Sequence, residues 1–413
     1  METSIEWTAT EVPEGIKCPA CSRKDNSVSC KPCSETGTVY KLPGFTFNPW
    51  IGCHKVSPGC KFCYAEADMD KRRGRVKWGL HGTRSVTSYA YWRKVMQWNE
   101  EAKRTGVRRK VFCASLADWA EDWKGQVMDS KGNLLWWPPE DEWYLGKCED
   151  VDGIPAFAHQ TEQKPGWQPL TLDIIRYYLY KLIEKTPYLD WLLLTKRPEN
   201  IEKFLPDRWH IMNNGRCPKN IWFGCSITSN EEVHSVWPVF QSFGKSGYMP
   251  YIIFLSIEPL LGPLRSFEVC LDESDGSRGA DWVIVGFESG HTPRAGHPQW
   301  VRDIRDQCLD KHVPFFFKQW GEYYTTWTNG QGPVFKMYDS YQQFTQKVWV
   351  KKGDYCVDSE GRHCQSGKDF MEAKYPVAIM NRVGKKAAGN VLDGKVYQQF
   401  PESVLSVNEV FTR

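Results

Sequence analysis

Three cysteines, Cys53, Cys60 and Cys63, stand in the stretch Thr46-Phe-Asn-Pro-Trp-Ile-Gly-Cys-His-Lys-Val-Ser-Pro-Gly-Cys-Lys-Phe-Cys-Tyr-Ala-Glu66, with six residues and then two between them. A structural zinc takes four protein ligands, so three thiolates leave one coordination position for something else. A cubane iron–sulfur cluster held by three cysteines has one such iron, and thiolate is a soft donor suited to it. Gly52 and the Pro58-Gly59 pair suit a loop folded around a cluster. The spacing also admits reduced buried thiols or half of a zinc site.

A second cysteine group comes earlier. Cys18-Pro-Ala-Cys21 is followed after eight residues by Cys30-Lys-Pro-Cys33, with polar residues between. Two such knuckles predict one tetrahedral Zn2+ site stapling a segment too polar to build a core, with a second iron–sulfur cluster as the alternative. After Cys63, a helix start over Tyr64 to Met69 leads into Lys71-Arg72-Arg73-Gly74-Arg75, trailed by Lys77, Trp78, His81 and Arg84. Such a run is a solvated face or, beside a metal loop and interleaved with aromatics, a phosphate contact for nucleic acid.

These groups need elements to position them, and the chain alternates two patterns. Thr87 to Lys103 and Leu172 to Lys185 carry apolar residues at helical intervals. Short apolar runs end in polar groups: Lys110 to Asp118 in Ser115 and Asp118, Leu189 to Arg197 in Lys196 and Arg197, Asn220 to Ile227 in Ser226. Tyr251 to Pro259 ends in Glu258, Asp281 to Ser289 in Glu288, and Val313 to Gln319 in Lys318 and Gln319. With the run into Cys53 these make about seven strands. Near-continuous apolar strands separated by helices predict a parallel sheet covered on both faces, and polar strand ends predict an α/β fold with a full or partial (β/α) barrel and its site at the strand C-termini. An open doubly wound sheet is the alternative.

The expected organisation is an N-terminal segment over 1–45 carrying the four-cysteine knuckle, a barrel over 46–322 with an inserted loop or lid over about 121–168, and a C-terminal appendage over 323–413. Within the appendage Val383-Gly-Lys-Lys-Ala-Ala-Gly389 is basic and glycine-rich but lacks P-loop spacing. Fifteen cysteines, clustered and without an export signal, favour metal binding over disulfides. No apolar run approaches twenty residues, so the expectation is a cytoplasmic protein with no membrane contact. A formal charge of +3 means that any nucleic-acid surface is local, and the twenty tryptophans are stacking platforms or core.

The stretch around the cysteine triplet, with Leu194-Thr-Lys-Arg-Pro198, Leu255-Ser-Ile-Glu-Pro-Leu-Leu-Gly-Pro263, Trp282-Val-Ile-Val-Gly-Phe-Glu-Ser-Gly290, Phe315-Phe-Phe-Lys-Gln-Trp-Gly321 and Gly384-Lys-Lys-Ala-Ala-Gly389, resembles a phage-associated, three-cysteine, radical-SAM-like family of undefined function. The resemblance implies a partial barrel of radical-SAM type holding a [4Fe-4S] cluster, with S-adenosyl-L-methionine on its unique iron cleaved reductively to a 5′-deoxyadenosyl radical. Cys53, Cys60 and Cys63 map onto the cluster ligands and Phe62 onto an aromatic position near the adenine. The commonest radical-SAM spacing has three residues between the first two cysteines, where this chain has six.

For the S-adenosylmethionine pocket the strand-end groups Ser115, Asp118, Ser226, Glu258 and Glu288 are the expected contacts, each alternatively a satisfied capping residue. Lys196 and Arg197 are expected to face the methionine carboxylate or a substrate phosphate. The leading expectation is therefore an enzyme that modifies a nucleic acid or nucleotide, supplied by an electron donor and served by a possible partner protein. Two rivals stand beside it: a zinc-stabilised nucleic-acid-binding protein without catalysis, and a hydrolase using Asp118, Glu258 and Glu288 on a divalent metal.

Overall fold

Seven short, largely buried strands form one parallel sheet: β1 (Phe45–Phe47), β2 (Arg109–Cys113), β3 (Leu189–Thr195), β4 (Ile221–Ser226), β5 (Ile252–Ile257), β6 (Trp282–Gly286) and β7 (Phe315–Gln319). In this computed structural model the described residues are 6–11, 41–139, 150, 152–157, 160–273, 276, 278–329, 332–347 and 353–402. The knuckle cysteines Cys18, Cys21, Cys30 and Cys33 lie outside them. Strand neighbours follow chain order without a reversal, all in parallel register, and the sheet curls into a half-barrel. A doubly wound sheet would reverse its order at a switch point, and this one does not.

The strands divide their residues between two cores by simple alternation. Val111, Leu193, Phe223, Leu255, Val283 and Phe317 face the helices in the larger core. Phe112, Leu192, Trp222, Phe254, Trp282, Ile284 and Phe316 fill the concave side in a second cluster. Trp7, from a single helical turn over Glu6–Thr8, seals that cluster, its ring 4.6 Å from Phe112 and 6.2 Å from Trp282. Gly224 is required here, because a Cβ on it would come within 2.2 Å of the Phe254 ring.

Four helices of the outer layer are α1 (Tyr89–Thr105), α2 (Leu172–Lys185), α3 (Trp237–Gly244) and α4 (Pro298–Asp310). On α1 the buried positions Trp92, Val95, Trp98 and Ala102 repeat every three or four residues, which places them on one face. The helix ends at Gly106 in the left-handed conformation, φ +67°. The described part of the expected insertion is not a lid. Val127, Leu135, Trp137, Ile154 and Phe157 pack into the main core, with Trp137 and Phe157 against Tyr178 of α2; large aromatics of this kind are stabilised by burial rather than by spanning an opening.

Beyond β7 the chain builds a second, mostly antiparallel sheet from β8 (Tyr323–Tyr324), β9 (Lys336–Tyr338), β10 (Asp354–Val357), β11 (His363–Cys364) and β12 (Val377–Arg382), in the order β8-β12-β10-β11 with β9 also on β12. Its own small core contains Tyr338, Phe344, Cys356, Cys364, Phe370 and Ile379. The ten cysteines among the described residues are all free thiols. No helix among the described residues is long and apolar enough to cross a membrane.

Candidate functional site

The concave face changes character at the C-terminal ends of the strands. Continuing the same alternation past the aromatic layer brings Thr46, Lys196, Ser226, Ser256, Glu258 and Lys318 to the wall of a cavity of about 710 Å³. The cysteine loop closes one side of it. Cys53, Cys60, Cys63 and Phe62 line the cavity together with Ser115, Asp118, Arg197 and Glu288, so the expected barrel-mouth residues converge on one space. Lys71, Arg72, Arg73 and Arg75 do not line it.

Local chemistry explains how the loop reaches the strand ends. Gly52 adopts φ +113° and its Cα passes so near Thr83 that a Cβ would lie 2.6 Å from the carbonyl oxygen. Ser57 then caps a tight turn over Pro58–Cys60, its hydroxyl accepting from the Gly59 amide at 3.2 Å. A Cβ on Gly59 would stand 2.6 Å from the Thr228 methyl, just beyond β4. Cys63 is the N-cap of a helical segment over Tyr64–Arg72 whose second part is π-helical, a rare geometry found frequently at functional sites.

Arg197 is the hub on the cysteine side. Its guanidinium donates to Asp118 Oδ2 at 2.7 Å, to the His54 carbonyl at 2.9 Å, and approaches Cys53 Sγ at 3.6 Å with both terminal nitrogens. Burial works against its charge, but Asp118, Cys53 and Glu121 outweigh that and raise its pKa. Burial likewise pushes the Cys53 thiol up, with Glu121 adding to the effect and Arg197 opposing it. The Cys63 thiol is raised by burial and held back by the amides of Glu66 and Ala65. Metal binding must therefore displace protons from both thiols, and the guanidinium and helix amides are the groups that compensate the resulting negative charge.

Three of the five expected cofactor contacts turn out to be occupied within the protein. Asp118 accepts on Oδ1 from Thr195 Oγ1 at 2.6 Å and the Ala120 amide at 3.0 Å, and on Oδ2 from the Lys196 amide at 3.1 Å and Arg197 at 2.7 Å. It positions Arg197 and the end of β3 rather than a ligand. Ser115 is paired with the Asn48 side chain, and Glu288 holds Arg294 through both oxygens, at 2.7 and 2.9 Å. Ser226 and Glu258 differ. Ser226 is 3% exposed and its hydroxyl has no hydrogen-bond partner among the described residues, and Glu258 accepts from Lys318 at 2.5 Å and Gln319 at 3.4 Å, both on Oε1.

Sequence reasoning missed the support behind this wall. Glu121 is fully buried, pairs with Arg84 at 2.7 Å and with His54 Nδ1 at 2.5 Å. His54 neighbours Cys53, and a buried glutamate at the start of a Trp- and Pro-rich stretch gives no local pattern to read. Arg294 was missed as well; it bridges the loop after β6 to the cysteine loop, lying 5.3 Å above the Phe62 ring.

The residues present fit a three-thiolate cluster. None of the three sulfurs is spent in a disulfide, Arg197 supplies a charge-compensating partner at Cys53, and the nearby imidazole of His54 has Nδ1 committed to Glu121. The Ser226 hydroxyl, buried on the cavity wall and without a hydrogen-bond partner among the described residues, is available to a further polar group. Among the described residues no three His, Cys, Asp or Glu side chains are arranged to hold a single metal ion. That weighs against the hydrolase expectation, whose carboxylates Asp118, Glu258 and Glu288 are each drawn to a different base. The ligands of a cubane sit on separate irons, which is a wider arrangement.

Part of the Lys71–Arg75 run is paired where it stands. Asp68 accepts from Arg72 Nε at 2.6 Å and Arg73 Nε at 3.1 Å, and Lys71 lies 3.9 Å from both Glu66 and Asp70. Arg75 is exposed.

Comparison with curated proteins finds no match, and comparison with solved structures finds none either. A family profile matches residues 40–131 and 171–401, passing over 132–170 and the stretch before residue 40 that carries Cys18 to Cys33. The chain belongs to the family described as protein of unknown function (DUF5131).

Proposed function

We propose that the protein is a radical S-adenosylmethionine enzyme that modifies a nucleic acid or nucleotide. One observation carries the reading: three free thiols from a single loop open onto the same cavity as the polar strand ends of a parallel half-barrel. A [4Fe-4S] cluster on Cys53, Cys60 and Cys63 with S-adenosylmethionine would supply reductive cleavage to a 5′-deoxyadenosyl radical, chemistry that belongs to the cofactors. The chain's own residues do the rest. Arg197, fixed by Asp118, offsets negative charge at Cys53. Ser226 and the second oxygen of Glu258 offer a hydroxyl and a carboxylate oxygen to an amine or to ribose hydroxyls. Phe62 gives a flat apolar face at the mouth, and the aromatic floor around Trp7 and Trp282 keeps water from entering below.

The test is anaerobic reconstitution with iron and sulfide, then incubation with S-adenosylmethionine and dithionite. The expected result is a brown protein that forms 5′-deoxyadenosine and loses both properties when Cys53, Cys60 or Cys63 becomes Ala. A colourless protein holding zinc alone, or iron that persists in the Cys60→Ala variant, overturns it.

A further inference from the structure

Ion pairing in the cavity wall is uneven, and the unevenness has a place. The carboxylates lining the cavity are Asp68, Asp118, Glu258 and Glu288. Each is held by its own base: Asp68 by Arg72 and Arg73, Asp118 by Arg197, Glu258 by Lys318 and Glu288 by Arg294. Two lining lysines remain, Lys196 and Lys385, and among the described residues neither ammonium has a carboxylate within ion-pair distance. Lys196 stands at the end of β3, inside the barrel. Lys385 comes from the C-terminal appendage, so the second sheet supplies part of the cavity wall.

The backbone under Lys385 is fixed. Glu322 accepts from the amides of Val383 and Gly384 through its carbonyl at 3.0 and 3.1 Å, from the Lys385 amide at 3.2 Å through Oε2, and from the Gly290 amide at 3.2 Å through Oε1. Arg382 donates to the His291 carbonyl at 2.8 Å. These bonds pin the turn to the loop after β6 while the Lys385 side chain stays exposed. At the same mouth the Phe62 ring is 38% exposed. Cations grouped with a partly exposed aromatic ring, here Lys385 on the same cavity wall as Phe62, whose ring centroid has Arg294 and Lys61 each at 5.3 Å, are how single-stranded nucleic acid is held, phosphate on the cations and base against the ring.

We propose that Lys385 is a phosphate-binding subsite through which the C-terminal sheet holds a single-stranded nucleic-acid substrate at the cavity mouth. The proposal rests on the cavity being the reaction chamber and names the substrate class for it. It moves the phosphate contact from the Lys71–Arg75 run, which does not line the cavity and in which Arg72 and Arg73 are tied to Asp68, to a lysine on the cavity wall with no ion pair among the described residues. A single strand is specified because a base has to leave its stack to enter a cavity of this kind.

The experiment is fluorescence anisotropy of a labelled ten-nucleotide oligothymidylate with the full-length reconstituted protein, at salt from about 50 to 200 mM. Lys385→Glu is expected to weaken binding about tenfold or more and to lower the salt slope by roughly the share of one phosphate contact, while Lys385→Arg stays within about twofold of wild type. Lys395→Glu, an exposed change outside the cavity wall, is expected to match wild type. No oligonucleotide binding by the wild type, equal binding by Lys385→Glu, or equal damage from Lys395→Glu overturns the proposal. Iron content and 5′-deoxyadenosine formed without substrate report separately on the radical reading, so a protein that keeps both but ignores Lys385 fails this inference alone.

Discussion

The two ends of the concave face are made by the same strands with the same alternation, yet they are opposites. At the lower end, Phe112, Trp222, Phe254, Trp282 and Phe316 close on Trp7, and the charge that reaches them, the buried Lys110 ammonium 5.6 Å from the Trp222 ring, is bonded to the Ala9 carbonyl at 3.1 Å. At the upper end, Lys196, Ser226, Ser256, Glu258 and Lys318 surround open space. In parallel barrels the C-terminal side carries chemistry and the other side carries stability. Here the division falls within single strands: β5 runs from Phe254 in the floor to Ser256 and Glu258 in the wall, two and four residues later.

If that division is real, the floor should be the costlier place to cut. Trp282→Ala removes a fully buried ring that touches Trp7, Trp222, Phe254, Phe316 and Phe400. The expected loss is about 3–5 kcal/mol in urea unfolding. Next in size is the support behind the wall. Arg84→Met takes from the buried Glu121 its hydrogen-bonded guanidinium and leaves it only Arg197 at 3.7 Å and His54, an expected loss of about 3 kcal/mol, because a buried charge stripped of its bonded partner costs more than the pair contributed. A loss below about 1 kcal/mol in either variant would erase the distinction between packed floor and functional wall.

The seam between the half-barrel and the second sheet offers a pH test. His297 caps α4, its Nδ1 accepting from the Gln299 amide at 3.1 Å, and burial holds its pKa down from 6.5 to about 4. A contact with the Pro376 backbone and the charge of Asp358 act in the opposite direction, while Arg302 adds to the lowering. The unfolded chain therefore binds the proton first, so stability is complete above about pH 6.5 and is lost as pH falls toward 4, by about 3 kcal/mol in all. Chemical unfolding of wild type and His297→Gln between pH 4 and 7.5 should show the acid slope reduced in the variant. Parallel slopes would place the titration elsewhere.

Much of this was legible in the sequence because the strands are buried on both faces and so read as unbroken apolar runs. The helix over Leu172–Lys185 and the polar ends of β2 to β7 could be read for the same reason. What escaped was partnership. Asp118 and Glu258 look alike as acids at strand ends, but Thr195, Lys196 and Arg197 saturate the first while Lys318 leaves one oxygen of the second free. Those partners come from strands far apart in the chain, and no local pattern reports them. The basic run after Cys63 hides its pairing for the same reason. Its acids, Glu66, Asp68 and Asp70, are in plain view, but only helical geometry shows that they face Lys71, Arg72 and Arg73.

The smallest expected effect is the sharpest test of what the wall is for, because it compares two serines. Ser115 exchanges hydrogen bonds with Asn48, at 3.1 and 3.3 Å, and Asn48 in turn accepts from the Leu116 amide at 2.7 Å. Removing that hydroxyl should cost about 1 kcal/mol. Ser226 is more deeply buried than Ser115 and has no hydrogen-bond partner among the described residues, so Ser226→Ala deletes a hydroxyl whose burial already costs stability. Its expected change in unfolding free energy is near zero or slightly stabilising, and the reconstituted variant should bind S-adenosylmethionine several-fold more weakly by equilibrium dialysis. Equal destabilisation of the two alanine variants would mean that the Ser226 oxygen has a partner within the fold. The upper layer would then be ordinary strand-end capping, and the contrast with the floor would be one of composition alone.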